Sequence, residues 1–142
     1  VGFTIGKRNK KSFLLVVKNS IQLSLFTALI ISILYLIFFK QIINVITDVD
    51  ILRFIAYKHA IWIIIIPPFA SFCYQLDGIF IGASQTRDMR NGMMFSVACF
   101  IIISIYSTKY FGNHGLWFSL LLFTVLRSLT LRYFLNNILK KF

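Results

Sequence analysis

Charged and apolar residues alternate along this chain in long blocks, so the first elements to predict are helices that cross lipid. Between Lys18 and Lys40 no residue is charged, and residues 20–39, at ~1.5 Å rise per residue, suffice for a hydrocarbon core of ~30 Å. A second span is predicted over residues 59–83, a third over 92–108, where the uncharged run is just long enough, and a fourth over 116–134. Lys40 to Lys58, with Asp48, Asp50 and Arg53 among Ile and Val, is predicted as a loop with an amphipathic turn at the interface. Arg87, Asp88, Arg90 and Asn91 read as a short polar connector, and Gly112, Asn113 and Gly115 as a turn. The fold class that follows is an all-α integral membrane protein with about four transmembrane helices and no soluble domain.

Composition excludes the alternative of a water-soluble domain: 58% of the 142 residues are hydrophobic and the mean hydropathy is +0.83. The first partner implied is the bilayer itself. Fifteen Lys and Arg against four Asp give a formal net charge of +11. These cations lie between the apolar runs, where the positive-inside bias of membrane loops accounts for them without a nucleic-acid partner. Eleven of the fifteen (Lys7, Arg8, Lys10, Lys11, Lys18, Arg87, Arg90, Arg127, Arg132, Lys140, Lys141) fall on one side, against Lys40, Arg53, Lys58 and Lys109 on the other. That count places both ends in the cytoplasm, with the inner (plasma) membrane as the expected location.

Asp77 is the most informative residue, because a carboxylate inside a spanning helix costs about 2.5 to 3.5 kcal/mol on insertion scales unless it is protonated, paired or facing water. On a helical wheel Ser71, Tyr74, Gly78 and Gly82 share a face with Asp77 at its edge, which is expected to look into the bundle. Gly78-x-x-x-Gly82 suits close helix packing with Asp77 as a structural partner; the alternative is a proton or cation site. Arg127, about twelve residues into the fourth span, is the candidate partner. A pair would hold Asp77 charged and favour a structural or gating role over proton shuttling, whereas alone Arg127 would snorkel to the headgroups. Pro67 and Pro68 remove two backbone donors from the middle of the second span, marking either a hinge or a static kink.

The remaining candidates carry less. His59 and His114 are expected near the outer boundary as interface residues, with no metal-ligand spacing. Trp62, Tyr57, Tyr110 and Trp117 fit an aromatic belt. Cys73 and Cys99 lie in apolar runs without CxxC spacing, and no hydrolase, P-loop or zinc-protease motif is present, so neither an enzyme nor a metal or organic cofactor is implied.

Three stretches resemble the multidrug and toxic compound extrusion (MATE) family, most closely its DNA-damage-inducible protein F branch. Gly2 to Asn9 looks like the G-x-x-x-G-x-x-N segment that ends the family's eighth helix. Leu76-Asp77-Gly78-Ile79-Phe80-Ile81-Gly82-Ala83, followed by Arg87, Met89, Arg90 and Asn91, resembles the L-D-G-x-x-I-G-A and R-x-M-R-N pattern at the end of the tenth. Gly115 to Trp117, and Leu122 through Arg127 to Leu131, are similar to its final helix. The resemblance implies the last four helices of a twelve-helix, two-lobe antiporter that exports organic cations or other amphipathic compounds in exchange for H⁺ or Na⁺. It further implies an amino-terminal lobe as partner, this chain being read as a carboxy-terminal fragment that begins at Val1. An exporter of lipid-linked saccharides in the same superfamily, or a small four-helix structural subunit, are the alternatives.

The topology is directly testable. A reporter active only in the cytoplasm is expected to work when fused after Lys140 and to fail when inserted at Asn113; activity at both positions would overturn the even number of crossings.

Overall fold

The computed structural model describes residues 1–140; Lys141, one of the eleven cations counted above, lies outside the described residues. Five helices follow one another: α1 (Gly2–Gly6), α2 (Lys10–Ile46), α3 (Asp50–Gly82), α4 (Thr86–Phe111) and α5 (Asn113–Leu139). The last four are long and apolar enough to cross a membrane, and the chain is all-α among the described residues. Helices satisfy their backbone groups internally, which lipid demands of any crossing segment.

The helices outrun the uncharged blocks. α2 has 37 residues, ~55 Å at ~1.5 Å each, so it overshoots a ~30 Å core unless tilted. The predicted loop between Lys40 and Lys58 is mostly helix, and only residues 47–49 connect α2 to α3. Arg53 explains why charge there does not interrupt the helices. Its Nε donates to Thr47 O at 2.8 Å and its Nη2 to Asn44 O at 3.2 Å, covering carbonyls that α2 leaves open, while Asp48 and Asp50 pair with it at 3.0 and 3.6 Å. Tyr57 adds an O–H bond to Asn44 Oδ1. Arg87, Arg90 and Asn91, expected in a connector, instead form the exposed first turns of α4, with Asp88 suited to the positive end of the helix dipole.

Two tight corners have the same construction. After α1, Arg8 N donates to Ile5 O and Asn9 N to Thr4 O; after α3, Ser84 N donates to Ile81 O and Gln85 N to Phe80 O. Both corners put a non-glycine residue in the left-handed region, Arg8 at φ 49° and Ser84 at φ 55°, so that the last carbonyls of each helix find donors. Asn9, the last residue of the G-x-x-x-G-x-x-N segment, then caps α2 by accepting from Ser12 N at 3.0 Å.

Contacts place the spanning helices in the order α2, α3, α5, α4, with α1 against α2. The termini and the α3–α4 corner share one end, here called the terminal end; the α2–α3 and α4–α5 connections share the other, the turn end. The buried cluster lies at the terminal end: Phe13 and Val17 of α2, Leu76, Ile79 and Phe80 of α3, and Leu131 and Ile138 of α5. Elsewhere large apolar side chains such as Leu23, Phe26, Leu34, Ile102 and Ile105 are exposed, as surfaces that meet lipid are. α4 and α5 approach through glycines. A Cβ on Gly92 would come within 3.1 Å of Thr130 Oγ1, and one on Gly115 would collide with the Ser107 carbonyl oxygen. Gly115→Ala is therefore expected to destabilise the α4–α5 pair by about 2 kcal/mol or more, read as a lower midpoint of thermal unfolding in detergent; an unchanged midpoint would contradict the close approach.

Candidate functional site

The site is built where α3 and α5 face one another near the terminal end. Asp77 and Arg127 form a two-pronged ion pair: Nη2 donates to Oδ1 at 2.7 Å and Nε to Oδ2 at 3.2 Å. Their side chains are 18% and 9% exposed, so the pair is largely withdrawn from its surroundings. Neither ion is alone, which answers the insertion cost that each would carry in lipid. The third guanidinium nitrogen, Nη1, contacts Met93 Sδ of α4, so Arg127 touches two neighbouring helices. Sequence reasoning missed Met93, because a thioether carries no pattern that marks it as an arginine partner.

Local structure aims the two side chains. One turn from Asp77 lies Phe80 and one turn from Arg127 lies Leu131, both fully buried and towards the terminal end, and Leu76 and Ile79 beside Asp77 belong to the same buried cluster. Beside the pair, Cys73, expected to be just a small apolar residue, is buried with its thiol in contact with Arg127 and Ser128. The α5 hydroxyls on the same stretch bond within their own helix, Thr124 Oγ1 to Leu121 O and Ser128 Oγ to Thr124 O, both at 2.7 Å. Arg127 is thus left with Asp77 as its charged partner.

The face of α3 that looks inward is not the expected one. Cys73, Leu76, Ile79 and Phe80 are buried, whereas Tyr74 is 70% exposed and Gly78 is exposed too. Bulk decides this: the larger apolar side chains interlock with α2 and α5, and the small-residue face is turned away. An added Cβ at Gly78 would meet nothing closer than its own neighbour Gln75 at 4.0 Å, so among the described residues no helix packs closely against Gly78. Gly82 does, but against the start of the chain, where its Cβ would come within 3.0 Å of Val1 Cβ.

Pro67 and Pro68 lie inside α3, half-buried, and helix continues on both sides of them. Ser71 Oγ donates to Pro68 O at 3.1 Å. Two bonds from the same half of α3 reach α2: Gln75 Nε2 to Ser20 O at 3.0 Å and Ser24 Oγ to Ser71 O at 3.4 Å. Asn91 borders a groove with Tyr133 and Phe134, away from Asp77, while Arg87 and Arg90 make no ion pair among the described residues. His59 and His114, expected near the outer boundary, meet at the turn end.

The ion pair predicts a reciprocal mutational pattern. Asp77→Arg or Arg127→Asp alone leaves like charges facing each other and is expected to cost about 3–5 kcal/mol or abolish folding. The double reversal is expected to recover much of the folded yield, measured as monodisperse protein in detergent; no recovery would mean that the two residues do not stabilise each other.

The MatE family model matches residues 1–108, a stretch that contains Asp77 and stops short of Arg127. The chain is 35% identical over 130 residues to DNA damage-inducible protein F of Escherichia coli (strain K12), covering 92% of the chain. It spans only 28% of the length of that relative. No solved structure matches the chain. With four membrane-spanning helices and a family match over most of its length, this chain belongs to the MatE family of membrane transporters.

Proposed function

We propose that this chain is the carboxy-terminal part of a secondary active antiporter that exports organic cations or other amphipathic toxic compounds in exchange for H⁺ or Na⁺, and that Asp77 and Arg127 act in it as a latch. The observation that carries the latch is the two-pronged ion pair joining α3 to α5, about ten residues from the prolines of α3. Family membership supports transport over a static four-helix subunit. No chemical step on the substrate is part of this reading.

The physics is a competition for one carboxylate. While Asp77 is bound to Arg127, the terminal half of α3 is fastened to α5. A proton or a cation that takes the carboxylate weakens the guanidinium's hold. The freed half of α3 then turns about Pro67 and Pro68, where two backbone donors are missing, and each conformation has its own affinity for the coupling ion. The facing wall of the substrate path comes from an amino-terminal lobe, and both ends of the chain lie in the cytoplasm with the protein in the inner membrane. Export of lipid-linked saccharides calls for several cations free to meet phosphate. Of the two late arginines, Arg127 is engaged by Asp77 and Arg132 is exposed towards the terminal end of α5.

In the full-length transporter, Asp77→Asn is expected to lower gradient-driven drug efflux from reconstituted vesicles fivefold or more, a coupling of about 1 kcal/mol or above, while Asp77→Glu retains part of it. Full drug resistance in cells with wild-type amounts of Asp77→Asn protein in the membrane would remove the latch from the mechanism.

A further inference from the structure

The two histidines, which the latch does not use, meet at the turn end of the same helix pair. The rings of His59 on α3 and His114 on α5 stack with centroids 4.3 Å apart and 25° between their planes. Trp62, less than one turn beyond His59, donates Nε1–H to His114 Nδ1 at 3.0 Å. His59 Nδ1 lies 2.8 Å from the Ile55 carbonyl oxygen. A carbonyl oxygen only accepts and an indole N–H only donates, so the partners dictate the tautomers. His59 carries its proton on Nδ1 and is bare at Nε2; His114 is bare at Nδ1 and, when neutral, carries its proton on Nε2. His59 Nε2 is buried and has no hydrogen-bond partner among the described residues.

We propose that His59, Trp62 and His114 form a proton-binding site that joins the turn ends of α3 and α5 while both imidazoles are neutral and releases them on acidification. Every route to a second proton opposes the contact. His114 can take one only at Nδ1, where it would confront the Trp62 N–H and break that bond. His59 can take one only at Nε2, which has no acceptor and is withdrawn from solvent. If both rings are charged, two cations face each other at stacking distance.

No nearby acid offsets this. Asp48 and Asp50 are engaged by Arg53 at the α2–α3 connection. The other ionisable groups towards this end are Lys40 on α2, Tyr57 and Lys58 on α3, and Tyr106, Lys109 and Tyr110 on α4, while α5 contributes only His114. Tyr57 is bonded to Asn44, and among the described residues no carboxylate reaches either ring. Each added proton must therefore break or confront a contact of the joined state, so that state is favoured while both rings are neutral and is lost on acidification. Trp62 and His114 also border an apolar groove of about 290 Å³ with Phe111, Gly115 and Phe118, and parting the rings opens its wall. The Asp77–Arg127 pair near the other end is a separate contact, so the turn end of the α3–α5 seam carries its own response to acid whatever the transporter exports.

The test uses the full-length protein in lipid nanodiscs, freed of other cysteines and spin-labelled at Ile61→Cys and Leu116→Cys, two exposed positions flanking the cluster. Between about pH 8 and about pH 5.5, either side of the imidazole range, the label-to-label distance is expected to shift to longer values and to return on neutralisation. His114→Gln, which can still accept from Trp62 but does not titrate, is expected to lose the shift, and His59→Gln to diminish it. An identical distance distribution at both pH values in the otherwise unaltered protein overturns the proposal. So does an undiminished acid shift in both glutamine variants, and because the unaltered protein decides the first point, poor folding of a variant does not rescue the idea. Loss of drug efflux on Asp77→Asn has no bearing on this result.

Discussion

A carboxylate placed among lipid tails needs a partner far more urgently than any apolar side chain does, and the position of Asp77 on α3 consequently dictates what must stand beside it. Leucine and isoleucine lose little by facing lipid instead of protein, because the tails are as apolar as they are. Asp77 and Arg127 have no such freedom, and the two-pronged pair at 2.7 and 3.2 Å ties α3 to α5 even though α4 intervenes in sequence. The α2, α3, α5, α4 order of the bundle is consistent with that requirement. The cluster of Phe13, Leu76, Phe80 and Leu131 then packs α2, α3 and α5 together near the terminal end.

The same demand for polar partners shapes the rest of the bundle at smaller scale. Ser96 and Ser119 are fully buried, yet each hydroxyl returns to the carbonyl four residues earlier in its own helix, to Gly92 and Gly115. Those two glycines also lie tight against the facing helix, Gly92 on the Thr130 side chain and Gly115 on the Ser107 backbone, so a small residue and a self-satisfied hydroxyl one turn later make a face that a neighbour can approach. Arg53 does comparable work at the turn end, covering the carbonyls of Asn44 and Thr47 and allowing α2 to reach α3 in three residues.

The seam between α3 and α5 is thus fastened by two contacts of different character. One is an ion pair, strong because both members are charged and withdrawn from solvent. The other consists of a stacked imidazole pair and an indole N–H bond, and it depends on its members being neutral. Pro67 and Pro68 lie between them on α3. A helix held at two places by contacts that each loosen when a proton is taken up, with a weakened ladder between, is suited to two arrangements, which alternating access in a transporter requires.

Lipid-crossing helices, their number and the class of protein could be read from residue order, because an uncharged run of some twenty residues has few other solutions and because Asp77 to Asn91 follows a recognisable family pattern. The Asp77–Arg127 pairing was legible as a possibility for the same reason: two costly ions in four spans have few alternatives. Charge, however, was a poor guide to where helices end. Arg53 and Arg87 looked like breaks and proved to be helical, since a side chain that reaches back to open carbonyls, or water at the membrane surface, accommodates charge within a helix. Nor did residue order reveal which face of α3 turns inward, the burial of Gly92 and Gly115, the approach of Met93, or the meeting of His59 with His114. These depend on how four helices of nearly uniform apolarity rotate against one another, and with no water contrast to orient them, only the shapes and polar partners assembled in three dimensions set that rotation.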